Sequence, residues 1–167
     1  MLRVRLEREI ELAVATVRWS DWPGSKGPLV HVPDLLLPSS GLAAELAQQL
    51  SPEYRVLSMH PQTGLLYQLH VAELVGLLDQ FGFEQPILIG EQSGCVVTTL
   101  LAGWYPKRLA GLILLDPIME AADVPGIVDC PPKWDLVWQR IVCPTLREPG
   151  SIEAFLKRID SPATPRS

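Results

Sequence analysis

Four residues able to transfer a proton stand at or just after apolar runs: Asp34, His60, Glu91 and Asp116. Two carboxylates and an imidazole, brought together, can act as an acid–base pair or hold a divalent metal. The most pointed segment is Ile87-Leu88-Ile89-Gly90-Glu91-Gln92-Ser93-Gly94-Cys95, in which two glycines bracket three polar residues. Glu91, Gln92, His60 and Asp34 are the candidates for chemistry, and Gln92, Leu35, Ser93 and Asp116 the candidates for ligand contact. A glutamine carboxamide has no oxygen comparable to a serine alkoxide, so Gln92 would bind rather than attack. Ser93 suits a helix cap or first turn. A plainer account competes with all of these roles, because loops at strand ends are polar where they face water.

The other two histidines read as structural. His31 lies inside an apolar run and is expected to pack there, and His70 is expected to be partly buried on a helix surface, four residues before Leu74. Three cysteines, Cys95, Cys130 and Cys143, form an odd set with no Cys-x-x-Cys spacing. Neither a disulfide framework nor a zinc site is expected from them, and no cofactor or metal is implied. Cys95 is expected to be a small buried side chain.

Elements that alternate strand and helix must position these residues. Leu2 to Trp19 reads as two strands, with Arg8-Glu9 as the turn between them and Asp21-Trp22-Pro23-Gly24 as the turn after. Strands follow at Pro28–Val32, Tyr54–Met59, Pro86–Ile89 and Leu112–Leu115. Between them, helices are expected from Ser39/Ser40 through Leu50, from about Leu65 to Phe81 with Gly82 closing it, and from Ser93 to Tyr105 before Pro106. Strands apolar on both sides, alternating with helices, mean a mostly parallel sheet covered on both faces, a three-layer α/β/α domain. Ligands bind such sheets beyond the carboxyl ends of the strands, where the four candidates lie.

After Pro117 the pattern weakens. Ala121 to Pro132 reads as loop, Trp134 to Ile141 as a short helix with Trp134 and Trp138 on one side, and Pro144-Thr145-Leu146 as a strand stub. Ser151 can cap a last helix carrying Ile152, Phe155, Leu156 and Ile159. The expected organisation is one domain over residues 1–160 and a polar tail over 161–167.

Composition bounds the function. The chain has 167 residues with 47% hydrophobic and 20% charged, enough for one folded core. A net charge of −5 leaves no basic footprint for nucleic acid. No apolar run approaches the roughly 20 residues of a membrane span. The start, MLRVRLEREIELAV, lacks the unbroken apolar stretch of a signal peptide, so a cytoplasmic protein is expected.

The run PILIGEQSGCVVTTLLAGWYPKRLAGLILLDP resembles the nucleophile-elbow region of the α/β-hydrolase superfamily, where a strand ends in Gly-x-Ser-x-Gly and a helix follows. GPLVHVPDLLLPSS is similar to the family's oxyanion loop, LSPEYRVLSMHPQTG to the next helix end and strand, and WDLVWQRIVCPTL to the approach to the acid-bearing strand. The resemblance covers about residues 10 to 160, in order, and implies that fold without a cap domain, shortened at its end.

The chemistry that the resemblance implies departs at each catalytic element. Gln92 stands at the nucleophile position, with Gly90 and Gly94 fixing the register. All three histidines precede Gln92, whereas the family's order is nucleophile, acid, histidine. Glu148 aligns near the acid, and Pro33-Asp34 stands where the family has His-Gly, so that a carboxylate faces a developing oxyanion. These departures imply a pseudoenzyme that acts by binding, as a scaffold, regulatory or assembly subunit. The alternatives are a lyase, isomerase or cyclase using Glu91, His60 or Asp34, and an ester or thioester hydrolase completed by another subunit. A shortened sheet leaves an edge that invites pairing, so a homodimer or a protein partner is expected, with a small-molecule ligand as an option.

Overall fold

The structure, a computed structural model, describes residues 6–11, 16–39, 41–50, 53–117, 137–141, 154 and 156–157. Among these residues seven strands form one sheet: β1 (Leu6–Glu11), β2 (Thr16–Trp22), β3 (Lys26–Val32), β4 (Tyr54–His60), β5 (Ile87–Glu91), β6 (Gly111–Leu115) and β7 (Val137–Ile141). Their spatial order is β1-β2-β4-β3-β5-β6-β7. From β4 to β7 every pairing is parallel, while β1 and β2 pair antiparallel at one side. Among the described residues three α-helices lie between strands: α1 (Gly41–Gln49), α2 (Tyr67–Phe81) and α3 (Gly94–Trp104).

Strand alternation sends successive side chains to opposite faces. Val30, Val32, Leu57, Met59, Leu88, Leu112 and Leu114 pack with α2 and α3. Their neighbours Leu29, Val56, Ile87, Ile89, Ile113 and Leu115 pack with α1 and Leu156. Both faces are therefore dry, which explains why β5 and β6 read as unbroken apolar runs. The expected three-layer α/β architecture is present.

Three local expectations are corrected. Arg8-Glu9 is no turn: both residues lie within β1, which pairs with β2 from Leu6↔Asp21 to Glu11↔Thr16. The charged run Glu7-Arg8-Glu9 holds no glycine, proline or asparagine, so no turn residue interrupts the strand there. Asp21 and Trp22 likewise extend β2 rather than begin the next turn. Val137–Ile141 is a strand beside β6, not helix. Five apolar-rich residues fit either period, and pairing along β6 decides between them. The expected strand stub at 144–146 and the tryptophan at 134 lie outside the described residues. Residues 154, 156 and 157 of the expected last helix are helical, with Leu156 buried.

His70 is also corrected. It is buried, not a partly exposed surface residue, and its Nδ1 lies 3.0 Å from Oε2 of Glu73, itself buried on the same face of α2. Gly82 closes α2 in the left-handed region, at φ 67°, as expected.

Candidate functional site at the strand ends

β5 runs straight into α3 through Glu91, Gln92 and Ser93. Gln92 has φ 47°, in the left-handed region that a side chain enters at a cost of about 1–2 kcal/mol. Two backbone bonds hold it there: its N–H donates to the Leu115 carbonyl at 2.8 Å, and its carbonyl accepts the Cys95 N–H at 3.1 Å. Its side chain is exposed at the tip of the turn.

The flanking glycines allow a close approach rather than a special φ. A Cβ on Gly94 would lie 2.3 Å from the Val32 carbonyl oxygen and 2.4 Å from that of Pro33. One on Gly90 would meet Thr98 Oγ1 at 2.5 Å and Cys95 Cα at 2.7 Å. So α3 starts pressed against the ends of β3 and β5.

Ser93 faces inward and is buried. It stands at the cap position of α3 but makes no side-chain cap hydrogen bond. Its Oγ instead accepts the Leu35 backbone N–H at 2.8 Å and donates to Oδ1 of Asp34. The same Asp34 oxygen accepts the Leu36 N–H at 3.2 Å. The loop after β3 is thus tied to the elbow through one hydroxyl, and the capping role expected for Ser93 gives way to a long-range bond.

Three of the acid–base candidates each bond to a different neighbour. His60 Nε2 lies 2.7 Å from Ser20 Oγ, toward β2. Glu91 pairs with His31, whose Nε2 is 3.1 Å from Glu91 Oε2. Asp34 holds Ser93. Asp116, with φ 48°, ends β6 beside Cys95, whose thiol it disfavours as an anion. Among the described residues no three metal-ligating side chains gather. His31 is packed, as expected, yet bonded at both ring nitrogens; its partner Ser58 was missed in the sequence. The available signal was a serine amid the apolar residues of Val56-Leu57-Ser58-Met59.

Cys95 is buried, its sulfur against the Gly90 and Leu115 carbonyls at 3.2 and 3.5 Å. Burial, with lesser repulsion from Asp116 and Glu91, pushes the thiol up to about 12, so it is no nucleophile. Leu36 and Leu37, after β3, are 76% and 80% exposed, and Leu66, before α2, is 70% exposed. A cleft of about 440 Å³ opens at the amino ends of β5 and β6, between Phe83, Gln85 and Arg108. There Arg108 is already paired with Asp79 at 2.6 Å.

The sheet and the helices packed on it align with those of solved structures. An α/β hydrolase from Novosphingobium aromaticivorans aligns over 66% of this chain and 43% of its own, with a TM-score of 0.58 and 23% identity. The chain has an α/β-hydrolase-like fold. A putative lipase from Acinetobacter baumannii aligns over 68% of this chain and 42% of its own, with a TM-score of 0.59 and 19% identity. An epoxide hydrolase from Vigna radiata aligns over 70% and 41%, with a TM-score of 0.58 and 17% identity. This chain spans less than half the length of each, and at these identities the likeness is one of fold. No family model and no curated protein matches the sequence. Among the described residues no helix of this α/β-hydrolase-like domain is long and apolar enough to cross a membrane.

Proposed function

We propose that this α/β-hydrolase-like chain works by binding at its strand ends rather than by cleaving esters. One observation carries the reading: a glutamine occupies the strained tip of the elbow, while the neighbouring Ser93 hydroxyl points inward to Leu35 and Asp34. A serine engaged this way is buried and has no histidine to take its proton: among the described residues its side-chain partners are only the Leu35 N–H and the Asp34 carboxylate. The Leu35 N–H, a donor suited to a developing oxyanion, is already satisfied. The exposed Leu36 and Leu37, after β3, and Leu66, before α2, suit an apolar ligand or a protein partner, a second copy included. A scaffold or regulatory role in the cytoplasm belongs to the same proposal.

A fluorophosphonate probe tests it. Incubated with the full chain, it should leave the intact mass unchanged, and p-nitrophenyl acetate should hydrolyse no faster than with Ser93→Ala. Stoichiometric labelling of Ser93 would overturn the reading. Light scattering across a concentration series then separates a self-associating chain from a monomer that awaits a different partner.

A further inference from the structure

Three neighbouring parallel strands carry a hydrogen-bonded row of side chains. His31 on β3 is register partner to Ser58 on β4 and to Ile89 on β5. Glu91 follows Ile89 by two residues and so shares its face. His31 Nδ1 lies 2.9 Å from Ser58 Oγ, and His31 Nε2 lies 3.1 Å from Glu91 Oε2.

Proton placement follows from the groups. An ionised carboxylate can only accept, so the His31 Nε2–H donates to Glu91, and the Ser58 hydroxyl can donate to or accept from Nδ1. Both His31 nitrogens have a hydrogen-bond partner. The His31 side chain is 0% exposed and that of Glu91 is 28% exposed, so the row runs from the dry core to a carboxylate at the strand ends. Among the described residues only Oε2 of that carboxylate has a hydrogen-bond partner, which leaves Oε1 open.

We infer that Glu91 is an acid–base residue of the strand-end site, with His31 and Ser58 as positioning residues. Its substrate class is a carbon acid, a small carbonyl compound with a hydrogen on the adjacent carbon. Glu91 takes that proton, the C–H electron pair becomes the C=C bond of an enolate, and the carbonyl π pair moves to oxygen. In a β,γ-unsaturated carbonyl compound the enolate is a dienolate, and return of the same proton to its γ carbon shifts the C=C bond into conjugation and completes an isomerisation, with no oxidant or second reactant. The exposed Gln92 carboxamide, next in the chain, supplies a donor for the enolate oxygen. This goes beyond the binding reading, and it stands or falls on Glu91 alone.

The probe 5-nitrobenzisoxazole tests it, because a single proton abstraction by a carboxylate drives its opening. The ring C–H proton passes to the base, its electron pair forms the nitrile, and the N–O bond breaks to leave a coloured phenolate. The wild-type chain should turn it over saturably, at least about tenfold faster than Glu91→Gln, with one rising limb in the pH profile. Glu91→Asp, which withdraws the carboxylate by one methylene, should lie between them. His31→Asn should lower kcat and move the midpoint of the profile, a change that a purely structural role does not produce. No saturable turnover by the wild-type chain, or equal rates in wild type and Glu91→Gln, overturns the assignment. Neither result bears on fluorophosphonate labelling of Ser93, so the two proposals fail separately.

Discussion

The Ser93 hydroxyl accepts the backbone N–H of Leu35 at 2.8 Å and turns its own proton to the Asp34 carboxylate. The two partners lie 58 and 59 residues earlier in the chain, on the loop after β3. One side chain therefore couples the elbow to the loop facing it.

Replacing it tests the coupling. Ser93→Ala leaves the Leu35 N–H unsatisfied and takes a donor from a carboxylate. The expected loss is about 1–3 kcal/mol, because an orphaned buried donor bears its full desolvation penalty. It should appear as a lower urea midpoint at unchanged slope. A loss under about 0.5 kcal/mol, the range of an ordinary surface substitution, would mean that water replaces the hydroxyl.

Gly94 and Gly103 make a matched pair on α3. Gly94→Ala drives a methyl group to 2.3 Å from the Val32 carbonyl oxygen, and backbone cannot swing aside as a flexible side chain can. The helix must leave the sheet, and a loss above about 4 kcal/mol, or no folded protein, is expected. At Gly103 a Cβ meets nothing within 4 Å. Gly103→Ala should raise stability by up to about 1 kcal/mol through helix propensity. Similar effects at the two sites, read by thermal unfolding, would contradict the packing described for the elbow.

Cys95 carries a pH prediction. Burial raises its thiol from 9.0 to about 12, so the folded chain holds that proton more tightly than the unfolded chain does. The stabilisation is complete below pH 9.0 and is lost as the pH climbs toward 12. Over that window stability should fall by on the order of 1 kcal/mol per pH unit, a slope that Cys95→Ala removes. In native protein at pH 8, mass spectrometry should find Cys95 unmodified by iodoacetamide and modified once urea is added. Rapid native labelling would show a reachable thiolate.

The sequence made β3 to β6 and the elbow legible for a local reason. Two-sided apolar strands announce a covered parallel sheet, and Gly90 and Gly94 announce a strand and helix in contact. β7 was illegible because Val137–Ile141 is short enough to satisfy either period, and its neighbour β6 decides. The site was harder still. Cap preference is local and pointed Ser93 at its own helix, but the partners that take it are remote. His31 and Glu91 meet only because β3 and β5 are adjacent, a relation no spacing records. His60, grouped with Glu91 on strand-end position alone, turns to Ser20 instead.

The buried pair on α2 tests how this core tolerates charge. His70 Nδ1 and Glu73 Oε2 are 3.0 Å apart with both side chains buried, and Glu73 Oε1 has no hydrogen-bond partner among the described residues. His70→Leu removes the bond and strands a carboxylate in the core, which should cost about 3–5 kcal/mol. Glu73→Met removes the carboxylate and leaves an imidazole that lacks one partner, a smaller loss of about 1–3 kcal/mol. The double variant, His70→Leu with Glu73→Met, closes the apolar face of α2 beside Leu74 and Leu77 and removes both polar groups. It should be within about 1 kcal/mol of wild type or more stable, because apolar replacement of a buried pair avoids desolvation on both sides. The double-mutant cycle from urea unfolding should therefore give a coupling well above the ~0.5 kcal/mol seen for independent sites. Additive losses would mean that the two side chains stabilise α2 through separate contacts, and that the bond between them contributes little.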